Sequence, residues 1–362
     1  MIGQLFKKGL MGLALLLLVA CASEQVVEKF EPPVYPAPPE EARFIYERTL
    51  LSSADVRKED AEASWKQALT GQVVTGEGLG KPFGVAVREG RVYIGDTQKR
   101  AVLVFDFPQG KYYEIGVERP GELAKPLGMD HDAHGNLYVV DGSARVVQVY
   151  GPDGEHLRVL GNPELFSRPS GIAVEPSGKR IFVVDTGGVS SSMHRVVVLD
   201  GATGEELYHF AERGADDGQL NLPRDAVWGV DGLIYVVDGG NFRVQVFTPE
   251  GEFVKGFGDV GRRSGQFSRP KGIDVDADGN LYVADAAFGN FQVFNASGEL
   301  LLGIGNRGNR GAPGTFQLPA GIAIDEDGRI YVTDQYFRKV DIFRPADLPI
   351  EGGFLGNAVA TQ

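Results

Sequence analysis

The chain has little of several residue types on which many protein classes depend. It has one cysteine, Cys21, and only four methionines and two tryptophans among 362 residues. A single cysteine excludes a disulfide within the chain, so a hydrophobic core must stabilise the fold. Basic residues are outnumbered, 36 against 49 acidic ones, for a net charge of −13. This acidic balance argues against a nucleic-acid-binding protein and against a polybasic membrane-binding surface.

Glycine and apolar residues, by contrast, are plentiful. The chain contains 50 glycines, and 43% of its residues are hydrophobic, which is enough for a sizeable core. Frequent β-branched residues between glycine-bearing turns favour an all-β fold.

The N-terminus has the pattern of an export signal. Lys7 and Lys8 precede an apolar run, Leu10 to Ala20, that is too short to span a bilayer. The run ends in LVAC, which resembles the lipobox of bacterial lipoproteins; an ordinary signal with an incidental cysteine is the alternative. The resemblance implies a signal peptide over 1–20, lipidation of Cys21 and attachment to the membrane through the lipid. Since Ala22 follows the cysteine, it also implies the outer membrane of a Gram-negative cell, in either leaflet.

Three segments flank the central part of the chain. Residues 21–41 carry five prolines and predict an extended tether with little packing. Residues 42–70 predict a strand, Arg43–Leu50, followed by a linking helix, Ser52–Leu69, with capping serines and early acids. Residues 348–362 form a C-terminal tail.

The central part, residues 71–347, repeats one unit six times. Each unit begins at a proline, and these are Pro82, Pro126, Pro169, Pro223, Pro270 and Pro319. The second strand of each unit ends in an aspartate, and these are Asp96, Asp141, Asp185, Asp238, Asp285 and Asp334. A glycine-bearing turn such as Asp278-Gly279 joins the first two strands, as in a β-hairpin.

A fourth strand is present in only five of the six units. Its copies are Lys111–Ile115, His156–Leu160, Glu206–Phe210, Glu252–Phe257 and Glu299–Ile304. The sixth unit lacks it, because prolines follow soon after Phe343. We predict that Arg43–Leu50 supplies the missing strand and closes the units into a ring, which removes open sheet edges.

The repeated segment RPKGIDV…GNLYVAD, followed by a strand such as RVQVF, resembles the NHL repeat. Six such units, over about residues 80–343, resemble a six-bladed NHL β-propeller. With the export signal, the chain is similar to bacterial lipoproteins of this class. Blade 4 departs from the pattern, because Asp225 stands where the family has glycine.

Most repeated residues have a structural interpretation. Each strand-ending aspartate except Asp285 is followed by an arginine, which predicts an Asp–Arg pair in the loop; these arginines are Arg100, Arg145, Arg195, Arg243 and Arg338. The run DVDADGNLYVAD, Asp274–Asp285, has the acid spacing of a calcium loop, but strands flank it, which favours a hairpin turn. HDAHG, His131–Gly135, is the equivalent turn of blade 2. Its two histidines, three positions apart, are interpreted as solvated turn residues, with metal binding as the alternative.

Residues that vary between units are the functional candidates. Those flanking each proline are expected around one mouth of the central channel, and the candidates are Lys81, Phe83, Lys125, Arg168, Ser170, Arg224, Arg269 and Lys271. Asp130 and Asp274 replace alanine in the first strands of the opposite blades 2 and 5 and are expected deeper in the channel. The pattern predicts an anion site at the mouth, or else cations paired with loop acids around a water-filled channel.

These features favour a non-enzymatic binding or scaffold module of the cell envelope. Its partner would be a protein, peptide or glycan bound through the loop-bearing face. Phe288, Tyr336 and Phe337 are candidate contacts there, with packing between blades as the alternative. No catalytic residue, cofactor or nucleic-acid partner is predicted. The alternative is a propeller enzyme of lyase or lactonase type with a channel metal. None of the five histidines falls at a mouth position, which disfavours zinc, and only Asp130 and Asp274 are candidates for calcium.

Overall fold

The computed structural model describes residues 30–56 and 76–356. The predicted signal peptide, Cys21, most of the tether and most of the linking helix lie outside these residues. From Pro33 onward the chain forms one compact unit, and the described part of that unit is the six-bladed propeller.

The strands follow the predicted repeat closely. Two precede the blades, β1 (Val34–Tyr35) and β2 (Phe44–Leu50). Blade 1 contains β3 (Pro82–Arg88), β4 (Arg91–Asp96), β5 (Ala101–Asp106) and β6 (Lys111–Ile115). Blade 2 contains β7 (Pro126–His131), β8 (Leu137–Asp141), β9 (Val146–Tyr150) and β10 (His156–Leu160). Blade 3 contains β11 (Pro169–Val174), β12 (Arg180–Asp185), β13 (Arg195–Asp200) and β14 (Glu206–Phe210).

The second half of the ring repeats the arrangement. Blade 4 contains β15 (Ala226–Trp228), β16 (Ile234–Asp238), β17 (Arg243–Phe247) and β18 (Phe253–Phe257). Blade 5 contains β19 (Pro270–Val275), β20 (Leu281–Asp285), β21 (Asn290–Phe294) and β22 (Leu300–Ile304). The short parallel strands β23 (Asn306–Arg307) and β24 (Thr315–Phe316) pair in the loop before blade 6. Blade 6 contains β25 (Pro319–Ile324), β26 (Ile330–Asp334) and β27 (Lys339–Pro345).

The first strand of each blade lies innermost, and these six strands form a closed ring. Each contacts the first strand of the next blade, and β25 contacts β3. The apolar core lies between the blades, in six clusters that each combine residues of two neighbours. Second strands such as β8 and β16 are therefore buried on both faces.

The predicted closure of the ring is confirmed. Strand β2 pairs antiparallel with β27, from Phe44 opposite Pro345 to Leu50 opposite Val340. The expectation that residues 21–41 pack little is wrong near their end. Val34–Tyr35 adds a further strand outside β2, and the ring of Tyr35 packs edge-on against that of Phe343 at 5.7 Å.

Glycine near the start of each first strand allows neighbouring blades to approach closely. A Cβ atom on Gly128 would lie 2.7 Å from the Cα of Gly171, and one on Gly171 would lie 2.4 Å from the Cα of Asp225. These distances are too short for any side chain, which explains the Pro-x-Gly pattern. Blade 4 differs as the sequence indicated. With Asp225 in place of glycine, β15 has only three residues, whereas the other first strands have six or seven.

One short helical segment precedes the blades in the chain and another follows them. Ser53–Val56 forms a single 3-10 turn at the start of the predicted helix. The C-terminal tail contains a short α-helix, α1 (Gly353–Gly356), whose Leu355 is buried in the cluster between blades 6 and 1. Across residues 30–56 and 76–356, no helix has the length and apolar character needed to cross a membrane.

Candidate functional site

Six lysine and arginine side chains lie at the channel mouth, each next to one of the repeated prolines. The six prolines are buried, and most of the residues next to them line the mouth; Leu222 and Leu318 do not. Lys81, Lys125, Arg168 and Arg269 directly precede a proline, whereas Arg224 and Lys271 directly follow one. Because a residue before proline is held in an extended conformation, these backbones have little freedom.

The strand-ending aspartates hold the loops that carry these cations. In blade 1, Oδ1 of Asp96 accepts hydrogen bonds from the backbone N–H of Lys81 at 2.9 Å and of Gln98 at 2.9 Å. The equivalent carboxylates bind the N–H of Lys125, Arg168 and Arg269. The repeated aspartate therefore ties two loops of its blade together and, in blades 1, 2, 3 and 5, fixes the backbone of a mouth cation.

The predicted Asp–Arg pairing is wrong in four of its five places. Among the described residues, only Arg243 reaches its own aspartate, with Nε 3.0 Å from Oδ2 of Asp238. Arg145 and Arg195 instead donate to backbone carbonyl groups of the inter-blade loop before blade 3. The aspartates have already accepted backbone N–H groups, which satisfies these carboxylates without the arginines.

All eight residues predicted at the mouth line one cavity of about 280 Å³, which we call the mouth cavity. Five blades contribute the cations. Within the described residues, no side-chain hydrogen bond or ion pair is found for Lys81, Lys125, Arg168, Arg224, Arg269 or Lys271. The alternative that loop acids neutralise these cations is thus not what the structure shows. Of the acidic residues that the structure describes, only Asp225 lines the cavity.

The cations affect one another electrostatically. Burial lowers the pKa of Lys271 to about 8, with further lowering from Arg269, Arg224 and Lys81. Burial also lowers the pKa of Arg224, together with Arg168 and Arg269. Asp334 opposes this lowering at Lys271 only in part. Like charges held together without ion-pair partners favour the binding of an anion, which would relieve the repulsion.

Three polar residues that the sequence did not indicate also line the mouth cavity. Thr97, Thr186 and Gln335 each follow a strand-ending aspartate, so that repeated position could have revealed them. Gln335 stands in blade 6, the one blade without a mouth cation, and its buried Nε2 has no hydrogen-bond partner. The hydroxyl group of Ser170 already has a partner within the protein, because its Oγ donates a hydrogen bond to the carbonyl oxygen of Arg224 at 2.8 Å.

A second cavity, of about 230 Å³, continues the channel below the mouth; we call it the channel chamber. The two cavities share Asp225 and three glycines of the inner strands, Gly84, Gly128 and Gly321. Asp130 and Asp274 line the chamber, as predicted for deeper channel acids. Asp225 therefore marks the junction between a basic mouth and an acidic chamber.

The chamber acids join neighbouring blades. Oδ2 of Asp130 accepts the N–H of Val174 in blade 3 at 2.8 Å, and Oδ2 of Asp274 accepts that of Ile324 in blade 6 at 2.6 Å. Burial raises the pKa of Asp130 to about 7 and that of Asp274 to about 8. Burial likewise raises the pKa of Asp225 to about 8, with the charge of Asp274 as a further cause.

The channel residues do not suit a metal ion. Both carboxylate oxygens of Asp130 and of Asp274 accept backbone hydrogen bonds. Calcium prefers six to eight oxygen ligands, and the described residues contain no group of three His, Cys, Asp or Glu side chains placed to hold a metal.

The calcium-loop pattern in blade 5 belongs to a hairpin, as predicted. Oδ1 of Asp276 accepts the N–H of Asp278 at 3.0 Å and of Asn280 at 2.8 Å, which fixes the turn. His131 differs from its interpretation as a solvated turn residue. It ends β7 and lines the chamber, and its buried Nε2 has no hydrogen-bond partner. Burial lowers the pKa of His131 to about 3, so the ring is neutral at physiological pH.

The loop aromatics lie outside the residues that line the mouth cavity. Tyr336 is 64% exposed and packs edge-on against the half-buried Phe337, with 5.2 Å between ring centroids. Phe288 is half-buried in the corresponding loop of blade 5. Of the three, Tyr336 offers the largest apolar surface to a partner.

Two segments of the chain match the NHL repeat. They span residues 267–294 and 316–338. The first match covers strands β19 to β21 of blade 5, and the second covers β25 and β26 of blade 6. Diisopropyl-fluorophosphatase of Loligo vulgaris is 26% identical over 123 residues, and the match covers 29% of this chain and 36% of that protein. The chain thus spans little more than a third of the length of that curated relative.

Solved propellers resemble this chain over most of its length. A gluconolactonase from Xanthomonas campestris is similar with a TM-score of 0.59 and 17% identity, over 88% of this chain and 96% of the other. Virginiamycin B lyase from Staphylococcus aureus is similar with a TM-score of 0.54 and 15% identity, over 82% of this chain and 98% of the other. At these identities the likeness shows the shared propeller fold.

Proposed function

We propose that the protein is a binding module that captures a ligand bearing two or more anionic groups in the mouth cavity. The observation that supports this most directly is the convergence of six cations without ion-pair partners on one cavity of a protein whose net charge is −13. Anions that satisfy several such cations at once would form charge-assisted hydrogen bonds, which are the stronger kind.

The size of the cavity limits what can enter it. Pockets for whole small molecules usually measure about 300–1,000 Å³, and this one measures about 280 Å³. A compact acid or the acidic end of a longer glycan or peptide would fit. The exposed Tyr336, on the same loop-bearing face, would then contact the rest of a longer partner.

The place of action that we propose is the cell envelope. Lipid attached at Cys21 would anchor the chain, and residues 22–32 would separate the propeller from the membrane surface. The support is the LVAC sequence and the single cysteine of the chain.

Calorimetric titration of the full chain in detergent with citrate, a compact tricarboxylate, tests the binding function. We expect Arg224→Met and Lys271→Met each to weaken binding about 10- to 100-fold, as for the loss of one charge-assisted contact. The matched controls Arg262→Met and Lys179→Met, at exposed positions outside the cavity, should leave affinity within about twofold. If citrate and sulfate bind the wild-type chain no better than they bind the double variant Arg224→Met/Lys271→Met, the binding function is wrong.

The second candidate is a propeller enzyme that acts in the channel. It is favoured by the fold shared with a gluconolactonase and a lyase, and by three channel carboxyl groups with raised pKa values. Because the donor set does not suit calcium, such an enzyme would use Asp225 as a general acid or base. The test is the hydrolysis of gluconolactone. A rate above that of buffer alone, lost in Asp225→Asn, would support this candidate. A wild-type rate equal to that of buffer would count against it.

A further inference from the structure

The side chains that line the channel change from basic to acidic over a short distance. Above the junction the mouth cavity carries six cations, and below it the residues that line the chamber include no lysine or arginine. The titratable residues of the chamber are Asp130, His131, Asp225 and Asp274. A ligand held by its anionic end at the mouth would therefore present its other end to carboxyl groups.

Asp225 is the residue that both ends of such a ligand would meet. Among the described residues it is the only carboxyl group that lines the mouth cavity, and no ion pair joins it to Arg224, its neighbour in the chain, or to another described cation. Its oxygens accept backbone N–H groups of Ala226, Ile273 and Ile172, which leaves about one of the roughly four acceptor positions of a carboxylate. It also lines the chamber. Its carboxyl group is thus placed to receive a cation that enters from the mouth.

We propose that the ligand is amphoteric, with an anionic group bound by the mouth cations and an ammonium group bound in the chamber against Asp225. This rests on the proposed binding function and names the chemical class of its ligand. Amino acids, aminoalkyl phosphates and the ends of peptides or glycans that carry both charges share this chemistry. The chamber, of about 230 Å³, admits an alkylammonium chain but not a bulky cation.

The binding of an ammonium group would be linked to pH. Asp225 has a pKa of about 8, so at lower pH it must release a proton to bind a cation. The other groups that act on the chamber are Asp274 and Asp130 within it, with Asp132, Asp276 and Arg88 near its lower end. Arg88 is the one cation among them, and it lies on the side of the chamber away from the mouth.

The test compares 3-aminopropyl phosphate with 3-hydroxypropyl phosphate, which differ only in the terminal group. We expect the amino ester to bind the full chain at least tenfold more tightly at pH 8. The ratio of the two affinities should rise from pH 6 to 8 and then level off, since the ligand amine stays protonated to about pH 10. In Asp225→Asn the ratio should fall to about one, whereas the exposed control Asp278→Asn should keep it.

Proton release gives a readout on the wild-type chain, independent of any variant. At pH 7 the heat of binding of the amino ester should depend on the ionisation enthalpy of the buffer, with protons released. Equal affinity of the two esters, or an amine advantage that persists in Asp225→Asn, would overturn the inference while the mouth still bound phosphate. Failure of both esters to bind would overturn the anion-binding function itself and the inference with it.

Discussion

Arg329 of blade 6 donates a hydrogen bond from Nε to Oε2 of Glu47 at 2.8 Å, and both side chains are fully buried. The contact joins the N-terminal strand to the last blade across nearly the whole length of the chain. Arg329 also donates to Asp327 and to the carbonyl of Gly352, which holds the C-terminal tail. One arginine thus connects the N-terminal strand and the C-terminal tail to blade 6.

Loss of this arginine should weaken the attachment of the N-terminal strand β2 to blade 6. Arg329→Met would remove the hydrogen-bonded partner of the buried Glu47 carboxylate and leave it only the Arg48 guanidinium, at 3.2 Å. We expect the free energy of unfolding to fall by about 3 kcal/mol, the lower end of the range for breaking a buried pair. Urea denaturation followed by tryptophan fluorescence measures this. The exposed pair Arg119–Glu122 is the control, and Arg119→Met should change stability by less than about 0.5 kcal/mol. Equal effects of the two substitutions would show that the buried pair does not hold the ring.

The closing strand itself should matter more than any single contact. Removal of residues 43–50 would expose the edge of β27. It would also uncover the buried Phe343, on which Tyr46 packs, and the buried Val340, which lies opposite Leu50. We expect a large drop in the melting temperature and a tendency to aggregate through the open edge. Calorimetric melting measures the first effect, and an unchanged melting temperature would contradict the closure.

The inner glycines predict a clear contrast between two substitutions to alanine. In Gly128→Ala the new methyl group would meet the backbone of Gly171 at 2.7 Å, so the inner ring must shift. We expect a loss of about 1–3 kcal/mol, typical of overpacking. A Cβ atom on Gly303, in the outer strand β22, would have no other atom within 4 Å, and Gly303→Ala should be neutral or slightly stabilising. Denaturation of the two variants side by side decides the matter.

Much of this structure could be predicted from the sequence because the unit is repeated. The missing fourth strand of blade 6 predicted the closure by Arg43–Leu50, and the residues around each proline predicted the mouth cavity. Repetition reveals the register of each strand, and register determines which way alternate side chains point. The same reasoning placed Asp130 and Asp274 in the channel.

Other contacts could not be predicted, because several donors compete for one acceptor and the spacing of residues in the sequence does not show which donor binds it. The distance between Asp96 and Arg100 along the chain suits a pair, but unsatisfied N–H groups of the inter-blade loop lie nearer to the carboxylate. Buried backbone donors must be satisfied, and they take the acceptor. The junction at Asp225 depends on the close approach of three blades, which the repeat pattern does not contain.

Membrane attachment should depend on Cys21 alone. Its thiol is the only one in the chain, and a lipid chain contributes about 0.8 kcal/mol per buried methylene group. We expect Cys21→Ala to move the protein from the membrane to the soluble fraction of lysed cells, while Ala22→Ser serves as a neighbouring control that stays bound. Carbonate extraction and immunoblotting would measure the change. Retention of Cys21→Ala in the membrane would contradict the lipoprotein interpretation.

The affinity of the mouth cavity for anions should fall as the pH rises through 8. Lys271 has a pKa lowered to about 8 by burial and by Arg269, Arg224 and Lys81. It is charged below that pH and binds an anion, and it becomes neutral above it. We expect the affinity for sulfate, whose charge is constant here, to be full at pH 7 and to decrease up to pH 9.

The variant Lys271→Arg separates this lysine from the other titrating groups. Its guanidinium stays charged, so sulfate affinity should fall less between pH 7 and 9 than in the wild-type chain. The decrease that remains reflects the ionisation of Asp225, which lines the same cavity and has a pKa of about 8. The stability of the free protein should change in the opposite sense. Since the folded pKa is below the unfolded one, the wild-type chain should gain stability relative to Lys271→Arg as the pH rises from 8 to 10.5. A sulfate affinity that falls equally in both chains would show that Lys271 is not the group that titrates at the mouth.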